Sequence, residues 1–168
     1  STLISRISNA RPKVAGYPFT TLVPNLGIVR LDEGESFVAA DIPGLIEGAH
    51  KGKGLGHQFL RHIERTRLLL HLIDFSDMDS ENILDRYRKL QNELKAFSEN
   101  LFDKPQILVA TKMDAPQSVV NLEKIKPAMK EINSSLLTIS SVTGEGIEQL
   151  LWKIKEGLAA DRKKELEA

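Results

Sequence analysis

Cysteine is absent from the 168 residues, which excludes a disulfide scaffold, a thiolate metal site and a cysteine nucleophile. The absence is compatible with a reducing cytosol. An excess of charge of either sign is also missing. Twenty-three basic residues balance 23 acidic ones, so no overall field draws the chain toward nucleic acid. The longest apolar runs, such as Leu68-Leu69-Leu70 to Ile73, are far too short to span a bilayer, and no signal peptide opens the chain. There is no internal repeat and no low-complexity tract. No two histidines stand at the helical spacing that metal ligation favours.

What is present is ordinary for a soluble globular protein. Hydrophobic residues make up 41% and charged residues 27%, and the length fits one domain spanning residues 1–168 with a single sizeable core. One local exception to charge balance occurs between residues 51 and 67. There Lys51, Lys53, Arg61, Arg65 and Arg67 face the single acid Glu64, either as a solvated helix face or as a phosphate-contacting patch.

Read in order, the chain alternates strands and helices. Ser1-Thr2 opens a helix whose Leu3, Ile4 and Ile7 recur at helical spacing. Residues 11–24 carry Pro12, Gly16, Pro18 and Pro24 and are expected to be irregular. Residues 26–31 and 36–41 flank Asp32-Glu33-Gly34-Glu35 as a β-hairpin. A Gly-rich segment from Gly44 to Gly56 leads into a helix bearing Phe59, Leu60 and Ile63. Residues 67–75 form a buried strand ending at Asp74, with His71 as a core histidine.

Acidic Asp77, Asp79 and Glu81 suit a helix N-terminus. That helix runs to about Asn100 with Ile83, Leu84, Tyr87, Leu90, Leu94 and Phe97 as its stripe. A strand over residues 106–110 ends at Thr111-Lys112-Met113-Asp114. A helix follows from about Leu122 to Ile132, then a strand over 136–139 ending at Ser140-Ser141. The last helix begins near Gly146, and its charged tail from Asp161 is expected to fray.

Strand ends recur at intervals of 33, 37 and 29 residues from Asp41 through Asp74 and Thr111 to Ser140. That is the size of a βαβ crossover. The fold class predicted is α/β, a three-layer and mostly parallel sheet with one antiparallel edge hairpin. Polar motifs at successive strand ends would then gather along one rim. Asp41-Ile42-Pro43-Gly44-Leu45 lies at such a strand end. By itself it is either a ligand-binding loop or an ordinary strand exit.

Three runs carry a family resemblance. They are Tyr17-Pro18-Phe19-Thr20-Thr21-Leu22-Val23-Pro24-Asn25-Leu26-Gly27, then Asp41-Ile42-Pro43-Gly44-Leu45-Ile46-Glu47-Gly48-Ala49, then Gly54-Leu55-Gly56-His57-Gln58-Phe59-Leu60-Arg61-His62. Together they closely resemble the Obg (CgtA) GTPases. The resemblance implies a Ras-like P-loop NTPase fold and a slowly hydrolysing GTP/GDP switch. It also implies Mg2+ as cofactor and the large ribosomal subunit and its RNA as partner. A cytoplasmic, monomeric protein without membrane association is expected.

The resemblance assigns roles residue by residue. Ser1 or the adjacent Thr2 matches the hydroxyl that follows the P-loop lysine. Ser1, Thr21 and Asp41 would serve the magnesium, with Thr20 the lesser candidate for the switch threonine. Gly44 would offer its N–H to the γ-phosphate. Thr111-Lys112-Met113-Asp114 is similar to the guanine-specificity motif, with Thr111 where Asn is usual. Asp114 would accept from the two N–H donors on guanine's edge, and the Lys112 stem would pack over the base. Ser140-Ser141-Val142 would meet the guanine keto oxygen.

Two departures stand out. Leu45 occupies the place of the glutamine that orients water in Ras-like proteins, so no catalytic residue is assigned. His50 and His57 are read as solvated loop histidines. No G-x-x-x-x-G-K occurs, and a core-facing helix at the first residue leads to the expectation that a strand and P-loop precede Ser1. The alternative is a GTPase-like interaction module that does not hydrolyse nucleotide.

Overall fold

The structure is a computed structural model of the chain and describes residues 2–8, 13–14, 25–41, 63–76, 79–132 and 135–167. The chain divides into two compact units, Ser1–Arg65 with Asn92–Phe102, and Thr66–Gln91 with Asp103–Ala168.

In the first unit, helix α1 (Thr2–Ile7) buries Leu3, Ile4 and Ile7, the three positions its spacing predicts. Strands β1 (Lys13–Val14), β2 (Asn25–Arg30) and β3 (Ser36–Asp41) form an antiparallel sheet in that order. The hairpin register pairs Asn25 with Asp41 and Arg30 with Ser36. Its turn contains a 3-10 segment, Asp32–Gly34, closed by the Leu31 N–H donating to the Glu35 carbonyl at 2.8 Å. Gly27 lets α1 lie close to β2, since a Cβ there would stand 2.8 Å from the Ile4 side chain. β1 corrects the expectation that residues 11–24 hold no regular structure. Lys13 and Val14 fall between Pro12 and Gly16, where two consecutive donors remain to pair with Leu26 and Asn25.

The second unit holds a parallel sheet of β4 (Leu69–Asp74), β5 (Gln106–Thr111) and β6 (Leu137–Thr138), with β5 central. Leu69 pairs with Gln106 and Asp74 with Thr111, so the two polar strand ends finish level. Residues Ile107 to Ala110 are all buried, as a central parallel strand requires. The core joins Ile73 and Phe75 to Leu108 and Ala110. Ile83 of helix α2 (Ser80–Phe97) and Ile125 and Met129 of helix α4 (Pro116–Ile132) complete it. Helix α5 (Ile147–Glu167) buries Leu150 and Ile154.

His71 is the core histidine expected. It is 7% exposed and its ring stacks on Tyr87 with centroids 5.2 Å apart. The Gln91 amide lies 3.3 Å from its Nδ1 and donates to the Gln106 side-chain oxygen at 2.8 Å. Burial lowers the His71 pKa from 6.5 to about 4.

Three helix boundaries differ from expectation. α2 stops at Phe97 because the Ser98 hydroxyl accepts from the Leu101 N–H and starts a separate short helix, α3 (Glu99–Phe102). α4 begins at Pro116, six residues before the apolar pattern becomes visible, since proline at a first helical position needs no hydrogen-bond acceptor. The charged tail of α5 stays helical to Glu167, and Glu165 pairs with Arg67 at 3.2 Å.

Candidate functional site

The ends of β4, β5 and β6 bring a set of polar groups together in the second unit. Where β5 leaves the sheet, Thr111 donates its hydroxyl to the Ile73 carbonyl at 3.1 Å, tying the two strand ends side by side. The next residue, Lys112, has φ 60, a left-handed conformation that a side chain disfavours by about 1–2 kcal/mol. Contacts on its carbonyl and its ammonium hold it there. The Lys112 carbonyl accepts from the Ser118 hydroxyl at 2.7 Å and the Ala115 N–H at 3.0 Å. Its Nζ meets the Asp74 carboxylate at 2.6 Å. Ser118 is fully buried in α4, one helical turn ahead of fully buried Asn121, which donates to the Phe75 carbonyl at 2.9 Å.

The left-handed turn redirects the chain so that Asp114 faces the end of β6. There the buried Ser140 hydroxyl donates to Asp114 Oδ1 at 2.7 Å and accepts from the Thr143 N–H at 3.1 Å. The Ser140 carbonyl accepts from Gly144, and its N–H donates to the Glu145 carbonyl. Residues 140–145 thus close into a tight turn. The Met113 N–H donates to the Ile139 carbonyl and the Ile139 N–H to the Ala110 carbonyl, which stitches this turn to the 111–114 segment. Gly146, at φ 74, ends the turn where a Cβ would meet backbone.

The arrangement presents an exposed carboxylate whose second-layer partner is a buried hydroxyl. An ionised carboxylate accepts at about four positions, so one bond from Ser140 leaves room for a ligand with two N–H donors. Beside it lie a lysine stem held at both ends and a turn ending in Val142, 71% exposed. Asp74 is shifted below the usual carboxylate range. Partial burial pushes it up, and hydrogen bonds from Lys112 and from the Ser76 hydroxyl and N–H more than offset that.

Of the residues singled out from sequence, Thr111, Lys112, Asp114, Ser140, Ser141 and Val142 are brought together. Thr2 lies exposed in α1, and Asp41 ends β3, both in the first unit. Ser1, Thr21, Gly44 and Leu45 lie outside the described residues, as do His50, His57 and most of the 51–67 basic run. Among the described residues no three acidic or histidine groups gather to hold a metal ion. The donors the resemblance assigns to Mg2+ are two hydroxyls and the Asp41 carboxylate, hard oxygen ligands of the type that ion takes. Sequence reasoning missed Asp74, Ser76, Ser118, Asn121 and Gly146. The polar end of an apolar strand at Asp74, one crossover length before Thr111, was the signal available for the first.

Residues 1–112 match the family described as 50S ribosome-binding GTPase. The chain belongs to that family. It is 51% identical over 156 residues to GTPase Obg of Halalkalibacterium halodurans, covering 93% of this chain and 36% of that protein. It is 52% identical over 153 residues to GTPase Obg of Syntrophomonas wolfei, covering 91% of this chain and 36% of that relative. The chain thus spans little more than a third of the length of these relatives. Among solved structures it resembles the G domain of the T. maritima FeoB iron transporter, with a TM-score of 0.67 at 21% identity, covering 94% of this chain and 89% of that one. That likeness establishes the P-loop GTPase fold, and the Obg resemblance read from the three sequence runs holds over nearly the whole chain. Among the described residues no helix is long and apolar enough to cross a membrane.

Proposed function

We propose that residues 1–168 are an Obg-type G domain, part of a switch that binds GTP and GDP and hydrolyses GTP slowly. The observation that carries the reading is the Asp114 carboxylate, fixed by Ser140 at 2.7 Å beside the Lys112 stem. A carboxylate so held matches guanine's ring and exocyclic N–H donors, which adenine does not offer together. The backbone N–H groups of Ser141 and Val142 would face the keto oxygen. Mg2+, when bound, supplies positive charge against the phosphates, with Ser1, Thr21 and Asp41 as the residues that would hold it. Leu45 carries no group to orient water, which suits slow turnover. Loops 12–25 and 44–56 would respond to the γ-phosphate.

The family description, 50S ribosome-binding GTPase, supports a ribosomal partner; the reading places the switch in assembly of the large ribosomal subunit, in the cytoplasm. The 51–67 basic run would contact ribosomal RNA there. The test replaces Asp114 with Asn in a fusion that supplies a strand and G-x-x-x-x-G-K segment ahead of Ser1. A donor then faces a donor, a mismatch of about 2–4 kcal/mol or roughly 30- to 1,000-fold in affinity. Xanthine carries a keto group where guanine has its amine. Competition binding should therefore show loss of GTP with gain of xanthosine triphosphate. A variant that still prefers GTP would show that Asp114 is a turn residue.

A further inference from the structure

The Asp74–Lys112 pair is unusual in how thoroughly one partner is fixed. Asp74 Oδ1 accepts from the Ser76 N–H at 2.9 Å and from the Ser76 hydroxyl at 2.6 Å. Its other oxygen, Oδ2, takes the Lys112 ammonium at 2.6 Å. The carboxylate is thereby oriented by its own strand exit, independently of the lysine it grips. The lysine is anchored at its other end too. Its backbone is turned to φ 60, and its carbonyl is pinned by the buried Ser118 hydroxyl. The aliphatic stem is thus fixed at both ends, two residues before Asp114 in the chain.

Stability does not account for this arrangement. The two side chains are 60% and 36% exposed, and ion pairs that open to water contribute only about 0–1 kcal/mol. Free in solvent, a lysine stem samples many rotamers, and ordering one on binding costs about 0.5–1.5 kcal/mol. A stem ordered in advance does not incur that cost when a flat ring is laid on it. The level register of Asp74 with Thr111 is what places the carboxylate within reach of the residue that follows Thr111.

We infer that Asp74, oriented by Ser76, is a positioning residue that holds the Lys112 stem as a preformed platform for the nucleotide base. The inference rests on the reading of this site as a guanine-nucleotide site and adds to it a determinant outside the 111–114 and 140–142 segments. Because the platform meets base and ribose and not the γ-phosphate, Asp74 serves GDP and GTP alike.

The experiment is a double-mutant cycle in the same P-loop-bearing fusion, with GDP and GTP affinities measured by calorimetry. Asp74→Asn should weaken both nucleotides about 2- to 12-fold, the cost of ordering one long side chain on binding. KM for GTP should rise with kcat held, as loss of uniform binding requires. In a Lys112→Ala background the same change should alter affinity less than about 2-fold. Ser76→Ala, which leaves both charges and the backbone N–H bond to Oδ1 in place and removes only the hydroxyl bond, should give a smaller loss that likewise vanishes with Lys112→Ala. It supplies the measurement if Asp74→Asn does not fold. Unchanged nucleotide affinity in both variants, or an equal loss with and without Lys112, overturns the proposal. If Asp114→Asn still inverts base preference in that case, only the role of Asp74 has failed. If it does not, the guanine reading falls and this inference with it.

Discussion

Gly146 stands directly against the carbonyl oxygen of Thr138: a Cβ on its α-carbon would lie 2.1 Å from that atom. Together with φ +74, this makes the position one that only glycine fills. The close approach lets the 140–145 turn fold back onto β6 and start α5 in the same step. Gly146→Ala must move backbone, and we expect a loss of about 3 kcal/mol, within the range of about 2–5 kcal/mol for overpacking plus a left-handed alanine. For a domain of this size the melting temperature should fall by roughly 10 °C. Thermal unfolding by circular dichroism checks it, and a variant that melts with the parent would mean the turn relaxes freely.

Ser140 serves two partners with one hydroxyl, and Ser140→Ala removes both bonds. Thr143 N–H loses its acceptor and Asp114 loses its orienting donor. Stability should drop by about 1–2 kcal/mol. Guanine-nucleotide affinity should fall about 10-fold while GTP remains preferred over xanthosine triphosphate, since the charge of Asp114 is kept. Urea unfolding and competition binding report the two effects separately.

His71 predicts a pH dependence of stability that has no connection with nucleotide. Its folded pKa of about 4 lies below the ordinary 6.5 because burial disfavours the imidazolium. The unfolded chain binds the proton more readily, so stability rises with pH across this interval. The contribution is fully present above about pH 6.5 and is lost as pH falls toward 4, amounting to about 3 kcal/mol. Asp74 adds a smaller loss at more acidic pH, since its folded pKa is lowered and its stabilisation disappears only when the carboxylate takes up a proton. Urea midpoints measured between pH 4 and 7 should slope upward in the parent and flatten in His71→Phe, which keeps the stack on Tyr87 without the titrating nitrogens.

Much of this site was legible in the sequence because its residues are local. Thr111 to Asp114 and Ser140 to Val142 each sit in one short run after an apolar strand, and the strand spacing puts both runs on the same rim. Asp74 was visible as a strand end, but its tie to Lys112 spans 38 positions and depends on register, which periodicity does not encode. Ser118 and Asn121 were invisible for another reason. They are polar residues fully buried on a helix face, so an apolar stripe search starts the helix after them. Gly146 looked like a helix boundary, which it is, but its steric necessity arises from a strand eight residues earlier. The two-residue β1 lay hidden among prolines that argue against any strand.

Besides the Ser140–Asp114 side-chain bond, main-chain hydrogen bonds from Met113 to Ile139 and from Ile139 to Ala110 join the 111–114 segment to the 140–146 turn. Side-chain replacement does not cut those ties, and neither segment shifts without straining the other. On the reading proposed above, the guanosine end would work as a fixed address, indifferent to how many phosphates follow. On that reading, whatever tells a triphosphate from a diphosphate has to be read by other residues, so a change confined to residues 111–114 or 140–146 should alter how tightly the base is held and leave the ratio of GTP to GDP affinity where it was.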